Sequence, residues 1–194
     1  MNSKSLRIVG IALITGLAFT SFADAASARE RLRHGSATGA QGGTAQWSKG
    51  VERGPGHRSV NRSRNATGPE GRSASMNAEH GCTEGTGCTR SVERTGPNGN
   101  TYSHDSATTR NPDGSVSHTA TTSGPQGGSG STTSTVSRTD DGASWSRNKE
   151  ATGANGNSAS VNANGQCQSG QCSSEVTRTT PKGGSTVSRW VTVE

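Results

Sequence analysis

The sequence predicts an all-β fold made of repeated units of about 28 residues, two strands to a unit. Three observations carry this. A turn motif recurs at a near-constant interval, the segments between turns alternate in polarity with a period of two, and large apolar side chains are too few for a thick core.

The turn motif is [Ser/Thr]-[Gly/Thr]-[Pro/Ala]-x-Gly. It occurs at Thr38–Gly42, Thr67–Gly71, Thr95–Gly99, Ser123–Gly127, Thr152–Gly156 and Thr179–Gly183, so that the closing glycines lie 27 to 29 residues apart. Pro pre-sets φ for the first central position of a turn, and Gly supplies a positive φ. A second set of turns falls midway, at Gly54-Pro55-Gly56, Asn111–Gly114 and Asp140–Gly142. In the remaining two units the midpoint is a cysteine loop. Turn spacing is thus about 14 residues, which leaves strands of eight to ten.

Within the strands, Ser or Thr stands two residues after each closing glycine: Thr44, Ser73, Thr101, Ser129, Ser158 and Ser185. The intervening positions hold Ala45, Trp47, Ala74, Met76, Tyr102, Ala159 and Val161. Alternate residues of a strand face opposite ways, so one face reads as a Ser/Thr ladder and the other as thinly apolar. An offset of 85 residues also superposes Val51 on Val136, Ser73-Ala74-Ser75 on Ser158-Ala159-Ser160, and Cys82 on Cys167, as if three units had been duplicated as a block.

Two architectures satisfy this pattern: an antiparallel β-meander of about eleven strands, and a β-solenoid with two strands per coil. The short, regular hairpin loops favour the meander. Composition alone is compatible with substantial disorder, because after residue 25 the large apolar side chains are Leu32, Met76, Tyr102, three Trp and ten Val. Long polar strands with open edges would favour self-association through those edges.

Residues 1–25 read as a signal peptide, with Lys4 and Arg7 before an apolar, helix-forming stretch from Ile8 to Phe22 and a small-residue site at Ala23-Asp24-Ala25. The apolar run is short of the roughly 20 residues needed to span a bilayer. No later segment is as apolar. The expectation is an exported protein, of bacterial type, residing in the periplasm, on the cell surface or outside the cell. Residues 26–41 read as a basic, flexible arm, and residues 42–194 as the repeat region, with units starting near 42, 71, 99, 127, 156 and 183.

The net charge of +6 is uneven along the chain. Residues 26–64 account for +6, and residues 65–194 for −1. Arg29, Arg31, Arg33, Arg53, Arg58, Arg62 and Arg64 are therefore the candidate contacts for a polyanion such as DNA, lipopolysaccharide or an acidic polysaccharide. A Val-x-Arg element recurs at Val51/Arg53, Val60/Arg62, Val92/Arg94, Val136/Arg138, Val176/Arg178 and Val187/Arg189, which puts Val and Arg on one face of each strand.

Four cysteines in an exported chain imply two disulfides. Cys82 and Cys88 flank one midpoint turn, and Cys167 and Cys172 flank another. Pairing across the base of each hairpin meets the required Cα separation, whereas a link between the two loops would have to cross several strands about 4.8 Å apart. The expected pairs are Cys82–Cys88 and Cys167–Cys172. His80 beside Cys82 and Cys88 offers a metal-like trio, but the twin loop has no His and the spacing is not that of a zinc site.

Nothing in the chain resembles catalytic chemistry. Ser103-His104-Asp105 contains triad residue types, yet neighbours in a strand face opposite ways. Phosphate loops, dinucleotide fingerprints and metalloprotease helices are missing from the sequence. No cofactor, metal or small-molecule substrate is expected. The expectation is an exported, non-enzymatic repeat protein with a structural, adhesive or surface-associated role. The alternative is a soluble polyanion-binding module using the Arg-rich segment.

Overall fold

Regular turns and β-branched alternation give strands of nearly equal length, and such strands pair best with their immediate neighbours. In the computed structural model, which describes residues 29–192, they form one antiparallel sheet. Its strands are β1 (Arg29–Thr38), β2 (Thr44–Gly54), β3 (His57–Thr67), β4 (Ser73–Thr83), β5 (Gly87–Thr95), β6 (Thr101–Arg110), β7 (Val116–Ser123), β8 (Ser129–Thr139), β9 (Gly142–Thr152), β10 (Ser158–Gln168), β11 (Gln171–Thr180) and β12 (Gly183–Thr192). Spatial order follows chain order from β1 to β12. Among the described residues, Pro125–Gly127 form a tight turn within a loop, with Gln126 in the left-handed region at φ 64°. The signal-peptide segment lies outside the described residues.

The meander is thus the architecture adopted, with twelve strands rather than eleven, and the solenoid alternative is set aside because each strand pairs antiparallel with its chain neighbours. One boundary needs correcting. The stretch 26–41, read as a flexible arm, contains β1, which pairs with β2 residue for residue from Arg29↔Arg53 to Thr38↔Thr44. Strand propensity in that stretch is modest, and pairing with a ready-made neighbour overrides it. Strands β2, β3 and β4 start at residues 44, 57 and 73, and β8, β9 and β10 start at 129, 142 and 158, each 85 residues later.

The glycine turns share one backbone geometry. In the first, the N–H of Gly39 donates to the carbonyl of Gly43 at 2.7 Å, and the N–H of Gly42 to the carbonyl of Gly39 at 3.0 Å. The same pair of bonds closes the loops ending at Gly71, Gly99 and Gly156. Each of these closing glycines has φ between 75° and 85°. The loop Asn111–Gly114, read from sequence as a midpoint turn, also takes this form, with Asn111 N–H on the Ser115 carbonyl and Gly114 at φ 81°. The sixth motif does not. Thr180 pairs with Gly183, so Pro181 and Lys182 form a two-residue loop.

The sheet is a single layer. Val60 and Val92 are the buried hydrophobic residues among those described. Cohesion therefore comes from the backbone ladder and cross-strand side-chain pairs rather than from a central core. Two of those pairs set an indole over a glycine. A Cβ on Gly35 would lie 2.7 Å from the Trp47 ring, and one on Gly165 would lie 2.5 Å from that of Trp145. Each glycine leaves room for the opposite tryptophan.

Gly99 and Gly50 both have open space where a Cβ would stand, but only Gly99 has a positive φ. Gly99→Ala should therefore destabilise the sheet by about 1 kcal/mol through backbone strain. Gly50→Ala should stabilise it by about 0.5 kcal/mol, by restricting the unfolded chain. Urea titration of both variants checks this, and a shift of the same sign in both would refute the turn geometry.

Candidate polyanion-binding face

Pairing partners in an antiparallel sheet share a face, so the register assigns every strand residue to one side. One cross-strand row illustrates it: Arg29, Arg53, Arg58, Cys82, Cys88, Thr108, His118, Ser134, Arg147, Ala163, Val176 and Val187 follow one another through all twelve strands. Pairing is continuous along each of the eleven strand interfaces, and the two-residue period is preserved throughout.

The seven arginines singled out from sequence all fall on this face. Arg29, Arg31 and Arg33 come from β1, Arg53 from β2, and Arg58, Arg62 and Arg64 from β3. Lys49 of β2 joins them, opposite Arg33 and Arg62. They belong to paired strands rather than to a trailing arm.

Beyond these, Arg94, Arg138, Arg178 and Arg189 belong to the Val-x-Arg elements, while Arg90, Arg110, Arg147 and Lys149 were not singled out from sequence. Arg90, Arg94, Arg110, Arg138, Arg147, Lys149, Arg178 and Arg189 lie on the same face. Every Lys and Arg on a strand, sixteen side chains, is therefore on one side. The strand carboxylates Glu30, Glu52, Glu79, Glu93, Asp105, Glu150 and Glu175 all lie on the other. The excess charge along the chain, placed by sequence in residues 26–64, is thus a smaller asymmetry than that between faces. The signal was present in the Val-x-Arg elements, each of which puts an arginine on the apolar side of its strand. Linking them into one face required the loop lengths that carry parity from strand to strand.

This arrangement leaves the cations without internal counter-ions. Among the described residues the ion pairs are His57–Glu52 at 3.6 Å, on the acidic face, and Arg72–Glu70 at 3.9 Å, within a turn. Neither involves a strand arginine. Like charges stand directly opposite in the rows Arg29–Arg53–Arg58 and Arg33–Lys49–Arg62, with neighbours about 4.8 Å apart across strands. Such juxtapositions destabilise an isolated sheet, and anions bound from outside would relieve them.

The other face carries the Ser/Thr ladder. Ser48 and Ser63 hydroxyls lie 2.8 Å apart, Ser103 and Ser123 2.7 Å, and Thr177 and Thr186 3.1 Å. Thr44, Ser73, Thr101, Ser129 and Ser158 belong to it, as the alternation implied. Ser185 does not. Its row contains Arg178, on the basic face, because the two-residue loop before β12 shifts that strand's phase.

Both cysteine pairs face each other across a hairpin. Cys82–Cys88 and Cys167–Cys172 are disulfide-bonded, each with Cα atoms 4.0 Å apart. Direct opposition across the hairpin puts the two side chains of each pair on one face, within bridging reach. His80, Cys82 and Cys88 bring their ligand atoms within 4.8 Å of one another, and His80 Nε2 lies 3.4 Å from Cys82 Sγ. Both sulfurs are in the disulfide, so the trio presents no thiolate. Ser103 and Asp105 share the acidic face, while His104 is on the basic one, so they form no relay.

A hydrogen-bonded cluster around buried Ser115 closes the Asn111–Gly114 loop. Ser115 donates its hydroxyl to Asp113 Oδ1 at 2.7 Å and its backbone N–H at 2.9 Å. Asn111 Nδ2 donates to the hydroxyls of Ser115 and Ser117, both at 2.8 Å. The Ser115 hydroxyl, then its N–H, holds the Asp113 carboxyl below the usual aspartate range.

Against this geometry, no family model, curated protein or solved structure matches the chain.

Two expectations follow. With its folded-state pKa depressed, Asp113 contributes stability that is complete above the unfolded pKa of about 3.9 and is lost as pH falls through the lower folded value. A carboxyl-carbon NMR titration should place its midpoint below that of a free aspartate, and Ser115→Ala should raise it. An unchanged midpoint in Ser115→Ala would sink the assignment. Reduction of either disulfide, which closes a loop of five or six residues, should cost about 2 kcal/mol in urea. Non-reducing peptide maps should show the two hairpin links, and a Cys82–Cys167 link would contradict the register.

Proposed function

We propose that the chain is an exported, non-enzymatic β-repeat protein of a bacterial surface compartment that works by holding anionic polymers against one face of its sheet. The observation that supports this is the placement of all sixteen strand cations on a face with no carboxylate among the described strand residues. Arginine suits phosphate, sulfate and carboxylate groups because its planar fork makes paired, charge-assisted hydrogen bonds. Rows about 4.8 Å apart across strands and about 6.8 Å apart along them offer a regular array to a regularly charged polymer. Disulfide-bonded cysteines fit an oxidising, extracytoplasmic setting. Among the described residues no helix is long and apolar enough to cross a membrane.

The proposal separates face charge from net charge. Arg53→Ser, Arg58→Ser and Arg62→Ser together should lower the salt concentration for elution from heparin and reduce the slope of log affinity against log salt by about 2 to 3. Glu52→Ser, Glu79→Ser and Glu93→Ser together raise the net charge by the same amount, and should leave elution nearly unchanged. Far-UV circular dichroism checks that both remain sheets. If the acidic-face variant binds markedly tighter, or the arginine variant elutes as the parent does, the face is not the binding site.

A further inference from the structure

The basic face is also the apolar face. Val51, Val60, Val92, Val136 and Val187 lie on it beside the cations, as do Trp47, Met76, Tyr102 and Trp145. Of the six large hydrophobic residues exposed among those whose side chains are described, five are there: Trp47, Tyr102, Val136, Trp145 and Val187, at 37–54% exposure. Leu32 is the exception, on the acidic side. In one row cations and apolar groups alternate: Trp47–Arg64–Met76–Arg94–Tyr102. A hydrophilic polyanion has no use for the interleaved Val and Trp, and burying them under a sugar or phosphate chain would gain little.

A surface that presents anionic groups above an apolar layer matches both features at once. Arg stems can lie along the apolar groups while their guanidinium groups reach phosphates, and an indole settles at the boundary between headgroups and acyl chains. The opposite face, with its carboxylates and hydroxyls, suits water. The sheet measures roughly 50 Å across its twelve strands, enough for many headgroups at once. Each cation near an anionic membrane raises the affinity about fivefold, so a few of the sixteen suffice to hold the sheet at the surface.

We infer that the basic, apolar face binds against an anionic lipid surface, with Trp47 and Trp145 at the depth of the headgroups. This rests on the reading that the face meets a polyanion, and it specifies that the polyanion is a lipid surface. A second copy stacked acidic face to basic face is the competing occupant. Basic face on basic face would set the two sixteen-cation arrays against each other.

The test is fluorescence of the full chain with Trp145 as sole tryptophan (Trp47→Phe, Trp190→Phe), titrated with phosphatidylglycerol vesicles, phosphatidylcholine vesicles and heparin. Because the readout sits on the sheet, binding through the apolar N-terminal stretch alone does not mimic it. The expected result is a blue shift and quenching by brominated lipid on the anionic vesicles. On the zwitterionic ones there should be none, with apparent affinity at least about tenfold weaker after Arg53→Ser, Arg58→Ser and Arg62→Ser. Heparin retention without any vesicle-dependent shift of Trp145 would overturn the lipid inference and leave the polyanion reading standing. Failure to bind either would remove both. A blue shift that develops without vesicles, together with salt-sensitive growth in light scattering, would assign the face to a second copy and overturn the inference.

Discussion

The whole molecule depends on an uninterrupted two-residue parity carried by the backbone ladder across eleven hairpins. Each strand pairs in register with its chain neighbours, so partners share a face and alternate residues do not. A slip of one residue in any loop would transfer every side chain of the following strand to the opposite side. The recurrent glycine loops prevent such slips, because their paired backbone bonds and positive φ admit one closure geometry. Where the loop changes, as at Pro181-Lys182, the consequence is visible: Ser185 leaves the Ser/Thr face.

With parity held, a single layer separates two chemistries. The strand cations and most large apolar residues take one side, and the strand carboxylates and most hydroxyls the other. In a thick-cored protein the apolar side would be covered by a second layer. Here Val60 and Val92 are the buried hydrophobic residues among those described, so the basic, apolar side remains an outer surface. Cross-strand arginine rows work against folding, whereas the ladder, the disulfides and the Trp-over-Gly pairs work for it. Binding an external anionic surface would reverse the sign of the arginine term, which links assembly at that surface to the stability of the sheet.

Legibility followed the range of each interaction. The turns at Gly42, Gly71, Gly99 and Gly156, the alternation of Ala74, Met76 and Val161 against Ser, and both cysteine pairs could be read in advance, because they depend on a few neighbouring residues. Turns were read correctly at Asn111–Gly114 and at the sixth motif, but their backbone class was not, because turn class depends on which strand residues pair, not on composition alone. Residues 26–41 were misread as an arm because β1 is stabilised by β2, an influence that intrinsic propensity does not record.

By itself the sequence determined that this chain is all-β, that its turns fall about every 14 residues, and that its cysteines close two hairpins. Tertiary structure alone decided that the strands form one open meander and that its sixteen strand cations share a face. The reason is physical. Facing within a strand is a local property, fixed by the alternation of side chains. Facing between strands is the accumulated result of eleven loop lengths and registers, and only the paired sheet adds them up.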